Sequence, residues 1–417
     1  MKKILWCLVL VIFSKTHLSA QTTDSTISRI VRALYNFQAM GGNHDIAIKH
    51  PLGGNTETDI RRRYIFYDSL NSAMNRMNPD TLDFNEKVNL ELLKYTIEDD
   101  IYNYKYKGYL NPILADEGFH TRLAAMGSEI LTSKEEFTSY YIARLKDIPR
   151  YVEENLALMR EGLKLGISQP RSILNGYENT YEQHIVTDPT KSVFWKPFLK
   201  KPFAINDSDW QVIVTEGKQA IMEYAVEGFK KIKKFFDTEY LPKTRTTIGV
   251  SNFPNGLAYY KELVHHYTTT NISYEEVYQL GLKEVARIKK EMQDVLKEAS
   301  FTGTMQEFIN YLRTDPKFYA ATAEQLLKEA SYIAKKADGQ LPRFFGKLPR
   351  QPYTVEPVPA HLAPTYTAGR YSGANIKSKN SGHYWVNTYD LKSRSLYNLE
   401  ALTLHEAVPG HHLQTSL

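Results

Sequence analysis

The residues best suited to chemistry sit close together near Leu417, in the run Leu404-His405-Glu406-Ala407-Val408-Pro409-Gly410-His411-His412-Leu413-Gln414. Three histidines and one glutamate fall within eight residues there, after an apolar stretch from Leu396 to Leu404 that predicts a helix. Neutral imidazole nitrogens are ligands that zinc favours, at about 2.0–2.1 Å, and a hydrolytic zinc site keeps one position for water. In the regular helical form of such a site two histidines stand four residues apart, one turn from each other. The glutamate beside the first then reaches the metal-bound water as a general base.

Here the spacing departs from that form. The residue four after His405 is Pro409, which cannot bind a metal. On a straight helix His411 would lie about 240° around from His405, at roughly 100° per residue. His412 would return to the same face but about 10.5 Å along the axis, at 1.5 Å per residue. Pro409 removes a backbone donor and Gly410 supplies freedom, so the helix can bulge or unwind between them. A bulge of two residues returns His411 to the second ligand position. We therefore expect zinc ligands His405 and His411, with His412 as the alternative, and Glu406 as the base. His412 would then point elsewhere, toward a substrate.

The elements around this run must hold it in place. His383-Tyr384-Trp385-Val386-Asn387-Thr388-Tyr389 is dense in β-branched and aromatic residues and predicts a strand ahead of the metal helix. Such a strand could lie as an edge along the site and pair with a substrate backbone. His383, Tyr384 and Asn387 are the candidate substrate-binding residues, with His383 and Tyr384 as possible oxyanion donors. Upstream, six of the eighteen prolines fall between Pro342 and Pro364, so that stretch should run extended or turning. A polar, glycine-containing loop follows from Thr367 to Gly382. Together, 341–394 reads as a β-containing subregion.

Most of the remaining chain reads as helix. Ser273-Tyr274-Glu275-Glu276 has the form of a capping box. Behind it Val277, Leu280, Val285, Ile288, Met292 and Val295 recur at helical spacing, which predicts a face packed in the core. Start signals at Ser133-Lys134-Glu135-Glu136 and Thr322-Ala323-Glu324-Gln325 precede two more helical runs. Further helices are expected around 25–38, 57–77, 85–106, 207–238 and 256–268. The fold class is therefore mainly α, with a small β-containing part. His44, His50, His120, His184, His265, His266 and His361 are read as ordinary surface or core residues. His265 and His266 are adjacent on a helix, so their side chains diverge.

Composition narrows the function. The 417 residues carry 42% hydrophobic and 24% charged residues, values of a globular chain with a sizeable core. Lys2 and Lys3, the apolar run Ile4 to Phe13 and the small residue Ala20 predict a secretory signal over 1–20. Cys7, the chain's one cysteine, has no small-residue lipobox before it, so lipidation is not expected. Cleavage after Ala20 removes Lys2, Lys3 and Lys15 and no acidic residue, taking the net charge from +5 to +2. No basic excess remains for gripping phosphates, which argues against nucleic-acid binding. No later segment is apolar enough to span a membrane. The expectation is an exported protein, periplasmic or extracellular, whose domain occupies 21–417.

The run His405-Glu406-Ala407-Val408-Pro409-Gly410-His411-His412-Leu413-Gln414 resembles the signature of a bacterial family, DUF885, placed among the zincin-like metallopeptidases. Asn255-Gly256-Leu257-Ala258-Tyr259-Tyr260 with Thr268-Thr269-Thr270, Gly281-Leu282-Lys283-Glu284-Val285-Ala286-Arg287-Ile288, and Tyr384-Trp385-Val386-Asn387-Thr388 resemble further family blocks. The resemblance implies a mostly helical gluzincin-type peptidase fold, zinc ligands at His405 and His411, and a base at Glu406. It also implies a downstream helix of the form E-G-W-A-x-Y carrying a third zinc ligand, and no such segment occurs among these residues. Glu400 lies five residues before His405, on a different helical face, and is a poor substitute. The expectation is thus a zinc-dependent peptidase acting on a peptide substrate, truncated and impaired by the missing ligand. Two alternatives stand beside it: a non-catalytic or decayed exported peptide-binding protein, and a zinc amidase acting on cell-wall material.

Overall fold

The structure is a computed structural model, and it describes residues 26–39, 50–115, 117–360, 363–374 and 380–417. The predicted signal segment, Cys7, His44 and His361 lie outside the described residues. The described chain divides into two compact units, one from Thr22 to Leu280 and one from Gly281 to Leu417. The division falls inside a helix and not at the compositional change near residue 341.

The first unit is helical. Helices α1 (Thr26–Ala39), α2 (Glu57–Asn75) and α3 (Phe84–Lys105) bury Ile27, Ile30, Tyr67, Leu70, Met74, Leu90, Leu93 and Ile97 against one another. The starts of α2 and α3 are set by capping boxes at Thr56 with Asp59 and Asp83 with Glu86, each satisfying backbone N–H groups that a helix end leaves open. Next come the short α4 (Phe119–Ala124) and the long α5 (Ala143–Lys164), the latter entered through the π-helical turn Glu136–Ile142. The expected signal at Ser133 is present, since Ser133 Oγ accepts from Glu136 N at 3.2 Å. The predicted helix over 207–238 is α6 (Asp207–Ala220) and α7 (Glu227–Phe235), joined and followed by π-helical turns at Ile221–Val226 and Phe236–Tyr240. Phe137, Tyr141, Leu145, Ile148, Phe194, Phe229 and Phe236 fill the main core of this unit. Helix α8 (Gly256–Thr268) closes it.

Helix α9 (Tyr274–Glu298) starts at the expected capping box: Ser273 N donates to Glu276 Oε2 at 2.9 Å, and Glu276 N to Ser273 Oγ at 3.2 Å. The predicted core face of this helix is not in a core. None of its residues is buried, and Leu280, Val285, Ile288, Met292 and Val295 are all exposed. Periodicity reveals that a helix has an apolar face, but it does not say what covers that face.

The rest of the second unit positions the candidate site. Helices α10 (Met305–Thr314) and α11 (Ala323–Asp338) precede the proline-rich stretch, which runs extended as β1 (Tyr353–Pro357). Two more strands, β2 (Gly369–Ser372) and β3 (Gly382–Val386), complete a three-stranded sheet in the order β1-β3-β2. Strand β1 runs parallel to β3, with Val355 opposite Tyr384; β2 runs antiparallel, with Tyr371 opposite Tyr384. The predicted strand over 383–389 is therefore shorter, and it is the central strand. Its backbone groups are taken up on both sides, so it cannot receive a substrate as an edge. Alternation along β3 turns Tyr384 and Val386 to one face, where they pack with Leu326 and Ala330 of α11 and with Leu399 and Ala407. The last elements are α12 (Leu396–Glu406) and α13 (His411–Ser416). No helix among the described residues is long and apolar enough to cross a membrane.

Candidate metal centre

Helix α12 ends at Glu406, and α13 begins at His411. The expected bulge is thus a full break between two helices. Ala407 N donates to Thr403 O at 2.9 Å and Gly410 N to Leu404 O at 3.0 Å, so the chain folds back over the last turn of α12. Gly410 makes this possible by close approach. A Cβ there would lie 1.8 Å from His405 O and 2.6 Å from Leu404 O. Val408, in the middle of the turn, is buried against Leu341 and Leu413 and anchors it.

The fold-back brings His411 to His405. Their rings stand 4.7 Å apart between centroids and at 89° to each other. One candidate ligand atom each from His405, Glu406 and His411 lies within 4.8 Å of the others. Among the described residues this is the one group of His, Cys, Asp and Glu close enough to share an ion. Two imidazoles are ligands that zinc takes, and a carboxylate beside them can accept a proton from water, so these residues fit a hydrolytic zinc ion. The carbonyl end of α12, which carries partial negative charge, lies at the same place and favours a cation.

Glu406 is buried, at 7% exposure, while His411 is half-buried and His405 exposed. A buried carboxylate needs hydrogen-bond partners. Tyr371 on β2 provides one, its backbone N–H donating to Glu406 Oε2 at 2.8 Å. His411 Nε2 stands 3.9 Å from that same oxygen. Strand β2 is an edge strand, and at Tyr371 its outward N–H is already committed to Glu406. The carboxylate is therefore tied to the rim of the sheet.

His412 is not beside the group. It is buried, and its Nδ1 shares hydrogen bonds with Tyr371 Oη at 2.9 Å and Ser416 Oγ at 3.3 Å. Its ring packs 4.6 Å from that of Tyr353. Burial holds His412 below the usual histidine range, with Asp338 and the Gln351 backbone pulling the other way. The expectation that it turns toward a substrate is corrected: its position on the inner side of α13 carries it into the packing. Gly382 leaves the space that the Tyr371 phenol needs, since a Cβ there would meet Tyr371 Oη at 2.0 Å.

The three expected substrate-binding residues lie elsewhere too. Tyr384 is fully buried, with its hydroxyl 3.1 Å from Thr403 Oγ1 of α12 and its ionisation pushed up to about 12 by burial. It fastens sheet to helix and cannot meet an oxyanion. His383 is on the other face of the sheet, its Nδ1 at 3.1 Å from Thr354 Oγ1 and 3.2 Å from Glu356 Oε1. Asn387 is buried, and its amide donates to the carbonyls of Ala363, Tyr366 and Thr367 while its oxygen accepts from Tyr389 N. It anchors a loop. Glu400 is exposed and outside the group.

Tyr371 is the residue that sequence reasoning missed. Its contribution through N–H is independent of side-chain type. A signal did exist: the Gly369-Arg370-Tyr371-Ser372-Gly373 run has glycines bounding a short stretch with an aromatic at its centre. Of the other histidines, His265 and His266 diverge as expected, to Thr270 O at 2.8 Å and to Glu98 Oε2 at 3.1 Å. His120 and His184 are core residues, both held neutral down to about pH 4 by burial. Thr180 satisfies Nε2 of His120, but its Nδ1 is buried without a partner.

A family profile described as "Bacterial protein of unknown function (DUF885)" matches residues 40–417. No curated protein matches the chain. Two solved structures have a similar fold. One, from Colwellia psychrerythraea and provisionally named a lipoprotein, superposes with a TM-score of 0.76 at 18% identity, over 93% of this chain and 71% of that one. The other, from Shewanella oneidensis and provisionally named a lipoprotein of unknown function, gives 0.61 at 14% identity, over 94% and 71%.

Proposed function

We propose a function for this chain, which belongs to the DUF885 family of bacterial proteins, from its own site: it is a zinc-dependent hydrolase of peptide bonds. The observation that carries the reading is the fold-back at Gly410. It sets His411 beside His405 and leaves Glu406 at the same point. His405 and His411 would hold the ion. A bound zinc would supply Lewis acidity. Glu406 would take a proton from the attacking water as the new C–O bond forms, and return it to the amine nitrogen as the C–N bond breaks. Its carboxylate is suited to this because the Tyr371 N–H holds it in one orientation. Strand β2 is the sheet edge nearest the base, and its outward N–H at Tyr371 already serves Glu406. The names given to the two structural neighbours and the secretory pattern of residues 1–20 support export.

The test is hydrolysis of a broad peptide library by zinc-loaded protein and by Glu406→Gln. The amide side chain still accepts from Tyr371 N–H, so the fold and the bound zinc should persist while turnover falls by about 10²–10⁴. Undiminished hydrolysis by Glu406→Gln would remove the base from this mechanism. A zinc-loaded wild-type protein that cleaves no peptide would remove the function.

A further inference from the structure

His412 follows the ligand candidate His411 in the chain, is only 3% exposed, and takes no part in the chemistry proposed above. A buried imidazole is costly unless its nitrogens are bonded, and an apolar side chain would fill the same space without that requirement. What the ring bonds is therefore informative. Its Nδ1 lies 2.9 Å from Tyr371 Oη and 3.3 Å from Ser416 Oγ. Two tyrosine rings pack on it, Tyr353 at 4.6 Å and Tyr371 at 5.5 Å between centroids. Tyr353 is itself tied to α11, its Oη donating to Asp338 Oδ1 at 3.0 Å. The His412 backbone N–H donates to Ala407 O at 3.0 Å, back across the turn. The ring is thus clamped by groups on β1, β2 and α13.

Tyr371 meets the turn at two points. Its N–H donates to Glu406, the last residue of α12, and its Oη bonds His412, the second residue of α13. Any residue at 371 would carry the N–H, but the phenol fixes where that N–H sits. Gly382 keeps the space for this phenol, since a Cβ there would meet Tyr371 Oη at 2.0 Å. Successive residues of a helix project about 100° apart. The clamp that turns His412 inward therefore also sets the direction in which His411 leaves α13. The phenol–imidazole bond links the base, held through N–H, to the helix that carries the second ligand. Hydrogen-bonded groups behind a metal site orient those in front of it.

We propose that His412 is a positioning residue that, through Tyr371, couples the placement of Glu406 to that of His411. This role rests on the hydrolytic reading of the site, but its first test needs neither zinc nor turnover. Hydrogen exchange at the Tyr371 amide of the zinc-free protein reads how firmly that N–H is held. His412→Leu should speed it by roughly fivefold or more, because one hydrogen bond anchoring Tyr371 is gone. His412→Asn, whose amide can take the place of Nδ1 and bond the phenol, should exchange like the wild type. In zinc-loaded protein, Tyr371→Phe and His412→Leu should each lower kcat by about tenfold with KM unchanged. The double variant should be no slower than the slower single, since the two side chains act as one unit. His412→Asn should restore kcat. Wild-type exchange in His412→Leu, or fast exchange in His412→Asn, overturns the proposal, as do kcat losses that multiply in the double variant. A wild-type protein that cleaves no peptide removes the hydrolase reading alone, and exchange at Tyr371 then decides the coupling.

Discussion

Replacing Gly410 with alanine probes how the turn after α12 positions His411. The added Cβ would fall 1.8 Å from His405 O and 2.6 Å from Leu404 O, both of them backbone atoms, where ordinary contact begins near 3.4 Å. Backbone cannot swing aside as a side chain can, so the fold-back must open by about an ångström or more. Overpacking of this kind costs roughly 1–3 kcal/mol, and the rigid neighbours place Gly410→Ala at the upper end, about 3 kcal/mol. At roughly 2–4 °C per kcal/mol for a domain of about 150–250 residues, melting of this unit should fall by about 6–12 °C. Zinc sites require ligand distances within about 0.2 Å, so displacement of His411 should also weaken zinc binding by about tenfold or more. Calorimetry and chelator competition read the two effects. Gly339→Ala, whose Cβ would meet its nearest neighbour, Lys336 O, at an ordinary 3.5 Å, is the control and should change neither. If Gly410→Ala melts and binds zinc like the control, the close approach does not shape the site.

Further predictions concern the core and the sheet. His120 and His184 are held neutral to about pH 4, whereas in the unfolded chain they take up protons near 6.5. Below pH 6.5 the unfolded state therefore binds more protons. Stability should be full above that pH and fall as pH drops from 6.5 toward 4, by at most about 3 kcal/mol per histidine. Urea titrations across that range should show the loss, and His120→Leu should reduce its steepness. Tyr384→Phe removes the hydroxyl beside buried Thr403 Oγ1 and should cost about 1–3 kcal/mol. Its effect should appear in melting and not in the turnover of the folded protein; a selective loss of turnover would reinstate Tyr384 at the site.

What the sequence made legible was local. Helices α9 and α11 begin where Ser273 and Thr322 put an oxygen three residues ahead of a glutamate or glutamine, because both halves of a cap are near neighbours in the chain. The break at Pro409-Gly410 and the preference for His411 over His412 followed from helical geometry, and the structure brings His411 to His405. Strand order was not legible. Nothing within residues 382–386 says that β1 and β2 would pair on either side, since those partners lie earlier in the chain. Strand β2 escaped notice because Gly369-Arg370-Tyr371-Ser372 has no apolar alternation. With it went Tyr371, whose N–H holds Glu406. The types of His383, Tyr384 and Asn387 suggested substrate contact, but their neighbours in space engage them in packing and loop anchoring.

Zinc binding tests the central claim most directly. Equilibrium dialysis against zinc, with the metal counted per chain, should give one saturable ion for the wild-type protein. That ion should be lost in His405→Ala and in His411→Ala, and kept in a folded His412→Asn variant. No saturable zinc, or zinc that leaves with His412 while His411→Ala retains it, would contradict the site described here.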